Sequence, residues 1–145
     1  MDRNILFSVL CVSVDASFVQ SFRYKTPSKF YVHPDLGRVE TAELFLPLDT
    51  LCNGYGDCDS FSVLFAGIMA NIPGQEVIFM VGKKGHDHLF VGVKLDPEFG
   101  EENIAYGGDK YVLVELTDEC DLGDIPLAEI KAYHNKKLVP VKVVN

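Results

Sequence analysis

No apolar run in this 145-residue chain is long enough to span a bilayer, so a membrane-embedded role is excluded. Basic residues are scarce: 13 Lys and Arg stand against 21 Asp and Glu, a net charge of −8. A nucleic-acid surface needs a basic face, and the one basic cluster here is short: Lys131, His134, Lys136 and Lys137. Nucleic acid is therefore set aside, and the acidic excess is read as keeping the protein in solution. Internal repeats and low-complexity linkers are absent, and the length suits one domain over residues 1–145. The segment Ile5 to Val14 follows Arg3 and imitates a signal-peptide core, but serines interrupt it and no small-x-small cleavage site follows. It reads as a buried helix or strand, and a cytoplasmic location is expected. Cysteines number four, Cys11, Cys52, Cys58 and Cys120, in a chain that is 48% hydrophobic. That is too large and too apolar for a disulfide-stapled mini-protein, so reduced thiols are expected, with Cys11 a buried small hydrophobe. Gly54 and Gly56 lack the lysine and spacing of a phosphate loop, which excludes a nucleotide site of that kind.

What is present is a strongly patterned helix. Phe61, Leu64, Phe65, Ile68 and Met69 recur at i, i+3, i+4, i+7 and i+8 and predict one buried stripe. Asp57 is the expected N-cap, Cys58 the first helical residue, and Pro73-Gly74 the stop. Upstream, Phe18, Val19 and Phe22 lie at helical spacing within Asp15 to Tyr24. Lys25 to Pro47 reads as a long irregular connection, and Pro47 to Leu51 as a short turn of helix. Downstream, Val77 to Val81, His88 to Lys94 and Tyr111 to Leu116 read as strands, with a polar acidic loop from Asp96 to Asp109. Pro126 to Tyr133 predicts a short helix and Val139 to Val144 a terminal strand. A helix followed by antiparallel strands indicates an α+β fold, with the central helix packed on the sheet.

The helix start gives Cys58 its interest. Unpaired N–H groups and the positive end of the helix dipole surround it, and both favour the thiolate, the reactive form. If the second and third strands form a hairpin pairing Lys94 with Asp109, the same register sets His88 opposite Glu115. A one-residue slip would send the two to opposite faces. A helix on that face would bring Cys58 to His88. The three types suit acyl transfer: a thiolate attacks, an imidazole takes the thiol proton and returns it to the leaving amine, and a carboxylate orients the ring. The N–H of Cys58 is a candidate oxyanion donor.

These segments together resemble the transglutaminase-like superfamily, the papain-related group of cysteine peptidases and transamidases, and most closely its bacterial and phage branch. The resemblance rests on Pro47-Leu48, on Gly56-Asp57-Cys58-Asp59 before an apolar helix, and on His88-Leu89-Phe90-Val91-Gly92-Val93. It extends to Tyr111 through Thr117, Leu122 through Pro126, and Phe18 through Tyr24, and so covers about residues 16 to 130. It implies a papain/transglutaminase-like fold with Cys58, His88 and Glu115 as a catalytic triad. It also implies a protein or peptide amide as substrate and no cofactor or metal. Many members carry Asp where Glu115 stands. The chain has no tryptophan, so members that use one as an oxyanion donor are a poor guide, and the second donor stays open.

Other readings stand beside this one. Cys58 also suits a buried structural thiol, and Glu115 an outward-facing residue on an edge strand. His86 reads as a polar loop residue or a support for His88; His33 and His134 receive no role. Cys52, Cys58, His86 and His88 offer zinc ligands, although the five residues between the cysteines match no common zinc module. A non-catalytic binding module on the same scaffold is the third reading.

Overall fold

The computed structural model describes residues 3–96, 98 and 102–143. In chain order the elements are α1 (Arg3–Gln20), β1 (Arg23–Tyr24), β2 (Phe30–His33), β3 (Gly37–Glu40), α2 (Pro47–Asn53), β4 (Tyr55–Gly56) and α3 (Cys58–Met69). They continue as β5 (Val77–Gly82), β6 (Leu89–Lys94), β7 (Asn103–Tyr106), β8 (Asp109–Val114), α4 (Leu127–His134) and β9 (Leu138–Lys142). The last five strands form one antiparallel sheet in the order β7-β8-β6-β5-β9. The fold is α+β, with the central helix α3 against this sheet.

Strand alternation explains why β5 is apolar at almost every position. Val77, Val91, Val93, Val112 and Val114 turn to one face and pack with Phe61, Leu64 and Phe65 of α3 and Val12, Ala16 and Val19 of α1. Ile78, Met80, Phe90, Tyr111 and Leu113 turn to the other and pack with Ala132, Ile130 and Tyr133 of α4. Both faces are covered, so the inner strands β5, β6 and β8 are apolar on both sides, as in a sheet sandwiched between helices.

The structure corrects several expectations. Ile5 to Val14 is helical, but it belongs to one helix with the next segment, and only one side of it is buried. Leu6, Phe7, Leu10 and Val14 are each more than half exposed, while Val12 is fully buried. Cys11 is half-buried rather than buried. The connection from Lys25 to Pro47 contains the β2–β3 hairpin, and the acidic loop contains β7. β7 turns into β8 through Gly107 and Gly108, whose φ of 61° and 91° suit a two-residue hairpin turn that other residues disfavour. The third expected strand begins and ends about two residues earlier, at Asp109 and Val114. Val144 of the expected terminal strand, and residues 97 and 99–101 of the acidic loop, lie outside the described residues.

Candidate active site

The start of α3 is built from backbone pairings on both sides. α2 ends at Gly54, and β4 pairs in parallel with β1, Arg23 against Tyr55 and Tyr24 against Gly56. Asp57 caps α3: its Oδ1 accepts from the Ser60 N–H at 3.1 Å and from the Ser60 hydroxyl at 2.8 Å. The fully buried Ser60 hydroxyl in turn accepts from the Phe45 N–H at 3.2 Å, tying the preceding loop to the helix start. Cys58 is thereby fixed as the first residue of α3, half-buried, with its own N–H lacking an intrahelical partner.

His88 stands just before β6 and Glu115 just after β8. The observed register pairs Val91 with Val114 and Lys94 with Tyr111, two residues away from the expected one. Continued outward, it sets Glu115 across from Phe90 and His88 across from Thr117. An offset of two keeps both side chains on the same face, and the longer glutamate spans the diagonal. His88 Nε2 lies 2.8 Å from Glu115 Oε2. Glu115 is 2% exposed, and its other oxygen accepts three hydrogen bonds: from the N–H groups of Leu116 and Thr117, both at 2.9 Å, and from the Thr117 hydroxyl at 2.7 Å. With Nε2 taken by Glu115, Nδ1 is the ring nitrogen left to face Cys58, which lines the same cleft; the thiol itself donates to Asp59 Oδ1 at 3.6 Å. The structure thus brings Cys58, His88 and Glu115 together in one file.

The electrostatics follow from burial opposed by partners. Burial weighs most heavily against a charged His88 ring. Hydrogen bonds to Cys58 and Glu115 and the charges of Glu115 and Glu129 together outweigh it, raising the ring to about 10. Burial pushes Glu115 up, yet the His88 hydrogen bond and charge, with the Thr117 N–H and hydroxyl, hold it below its ordinary value.

Cys58 and His88 open onto a cleft of about 640 Å³ whose wall also includes Tyr24, Val63, Phe79 and His86. His86 is not a free loop residue: its Nε2 meets Glu129 Oε2 of α4 at 2.5 Å, with both side chains largely buried. Glu129 escaped the sequence reading because a carboxylate in the first turn of a helix already has an ordinary explanation in the helix dipole. Tyr24 entered that reading only through the N-terminal likeness. No three His, Cys, Asp or Glu side chains gather as a metal site among the described residues, and Cys52 lies exposed on α2, so the zinc set is not assembled there. No helix among the described residues is long and apolar enough to cross a membrane.

The segment carrying both histidines folds back over Gly82. A Cβ there would sit 1.9 Å from the His86 carbonyl oxygen and 3.1 Å from that of His88. Both are backbone atoms, so the segment itself would have to move. Gly82→Ala is therefore expected to destabilise the protein by about 1–3 kcal/mol in urea unfolding. It should also slow alkylation of Cys58 through displacement of His88. Wild-type values in both measurements would show that the segment is not held as described.

No family model matches the chain, and no curated protein matches it significantly in sequence. Among solved structures, it is similar to LapG of Legionella pneumophila at TM-score 0.50 and 16% identity, covering 94% of this chain and 68% of that one. The same protein treated with EGTA gives TM-score 0.50 and 16% identity, covering 94% of this chain and 66% of that one. The chain thus spans about two thirds of the length of these neighbours. At such low identity the likeness speaks for the fold, and that fold is papain/transglutaminase-like.

Proposed function

We propose that this chain is a cysteine-dependent acyl-transfer enzyme acting on a protein or peptide amide, with Cys58 as nucleophile, His88 as base and then acid, and Glu115 as the residue that orients His88. The observation that carries the reading is the buried Glu115 carboxylate held by Leu116 and Thr117 and aimed at His88 Nε2, with Cys58 on the other side of the ring. A carboxylate 2% exposed needs compensating partners, and the ionisable one among them is an imidazole that lines a cleft. The Cys58 thiol gives its proton to His88 and its sulfur attacks the acyl carbon. Water as acceptor gives amide or isopeptide hydrolysis; an amine gives transamidation. The likeness to LapG supports the fold on which such a triad would sit. No step in the scheme calls for a cofactor.

The test is the rate of iodoacetamide labelling at each cysteine against pH. Cys58 is expected to react about tenfold faster than the exposed Cys52, to keep reacting below neutral pH, and to lose that advantage in His88→Ala. Equal rates at Cys58 and Cys52 would sink the enzyme reading. A reactive Cys58 that never forms a thioester would favour a non-catalytic binding module.

A further inference from the structure

Acyl transfer develops negative charge on the carbonyl oxygen, and a lone backbone N–H is a poor match for it; two converging donors are the usual solution. The Cys58 N–H supplies one. We propose that the Tyr24 hydroxyl supplies the other, forming the oxyanion hole with Cys58; the assignment rests on the acyl-transfer reading above.

Three placements carry it. First, the β1–β4 ladder sets Tyr24 against Gly56, and the Lys25 N–H donates to the Gly56 carbonyl at 2.8 Å, so the backbone of Tyr24 is pinned two residues upstream of the nucleophile. Second, the ring packs edge-on against Phe61, one turn into α3, with centroids 6.3 Å apart, which holds it beside the helix start. Third, Tyr24 and Cys58 line the same cleft, with the hydroxyl close enough to the thiol and N–H of Cys58 to be influenced by both. The phenol therefore stands beside the Cys58 N–H, at the side of the cleft a substrate oxygen would approach. Tyr24 is 53% exposed, so its tip can yield that position to an incoming carbonyl and then donate to it.

The other polar groups beside the thiol serve poorly as donors. Asp57, Asp59 and Asp87 are carboxylates, the Nε2 of His86 is occupied by Glu129, and the Thr26 hydroxyl lies two residues beyond the Tyr24–Gly56 pair that ties Tyr24 to the nucleophile's segment. Burial, then the charges of Cys58 and Asp57, push the Tyr24 hydroxyl above its ordinary value, so it keeps the proton it must share.

The step balances as follows. The Cys58 sulfur bonds to the acyl carbon, and the carbonyl π pair moves to oxygen. That oxygen is held by the Cys58 N–H and the Tyr24 O–H. Collapse restores the carbonyl and breaks the C–N bond, and the amine leaves with the proton carried by His88. Water, deprotonated by His88, repeats the sequence on the thioester and releases the acid and the thiol.

Tyr24→Phe keeps the ring and its Phe61 contact and removes only the hydroxyl. Two probes separate its roles. Acylation by p-nitrophenyl acetate passes through an oxyanion, whereas alkylation by iodoacetamide is a displacement at saturated carbon and does not. The variant should acylate on the order of 10²–10³-fold more slowly, with alkylation of Cys58 within about threefold of wild type. Acylation within threefold of wild type would overturn the assignment. An equal fall in both rates would also overturn it, since Tyr24 would then act on the thiol. A wild-type protein that alkylates rapidly but never acylates overturns the acyl-transfer reading itself, and this assignment with it.

Discussion

Glu115→Gln is expected to lower acylation of Cys58 by p-nitrophenyl acetate on the order of 10³–10⁴-fold while the protein stays folded. The reason lies in which oxygen does what. Glu115 Oε1 accepts from Leu116, Thr117 and the Thr117 hydroxyl, so the amide oxygen of a glutamine must take that position. Turning it round would set an NH₂ group against three donors. The amide nitrogen is thereby forced toward His88 Nε2, where it can only donate. Nε2 becomes an acceptor, and the ring proton moves to Nδ1, the nitrogen that faces Cys58. A neutral imidazole in that tautomer cannot take the thiol proton. The buried hydrogen bonds survive, so loss of activity is not loss of fold. Acylation within tenfold of wild type, in a variant with an unchanged circular dichroism spectrum, would refute the role of Glu115.

The second large effect is on stability against pH. The His88 ring titrates at about 10 in the folded protein, against an ordinary value of 6.5. Below 6.5 the ring is charged in folded and unfolded chains alike, and the pair contributes in full. As pH rises from 6.5 toward 10, the unfolded chain releases the proton while the folded one holds it, so stability falls through that window. The lowered Glu115 acts at the other end: its contribution is present above the ordinary carboxylate range and is lost as pH falls below it. Urea unfolding of wild type and His88→Gln at mildly acidic pH and near pH 10 isolates the first limb. The wild-type advantage should shrink by a few kcal/mol as pH rises, at ~1.4 kcal/mol for each pH step between the two titrations. An advantage that is flat across the window would show that Glu115 and Cys58 do not hold the ring charged.

How much of this is legible in the residues depends on how local the signal is. The Phe61-to-Met69 stripe and the Asp57 cap are consecutive features of one helix, and both appear where periodicity places them. The pairing of His88 with Glu115 is less direct. The expected register is wrong by two because β6 and β8 are not joined by a tight hairpin; β7 intervenes and pairs with the outer edge of β8. The neighbourhood survives because side chains alternate with a period of two, so an even offset preserves the face. Lys94 shows the same tolerance: paired with Tyr111 rather than Asp109, it still reaches the Asp109 carboxylate at 3.0 Å. The β2–β3 hairpin is hidden because its strands are four residues long and mostly exposed, with no apolar alternation to reveal them. The link between His86 and Glu129 spans 43 positions and two unrelated elements, and nothing in either segment announces the other.

The antiparallel run of β6 and β8 has a consequence for how this chain can change. His88 enters β6 at the end where Glu115 leaves β8, so the connection between the two strands departs from the opposite end of the sheet. Six residues of β6 separate the two ends, roughly 20 Å of extended chain. The β7–β8 turn at Gly107 and Gly108 lies at that opposite end, where Asp109 opens β8, so whatever is lengthened or grafted at this turn is remote from the reacting groups. The scaffold thus keeps its outer turn apart from its chemistry, and a tag or reporter placed at that turn is expected to leave acylation of Cys58 unchanged.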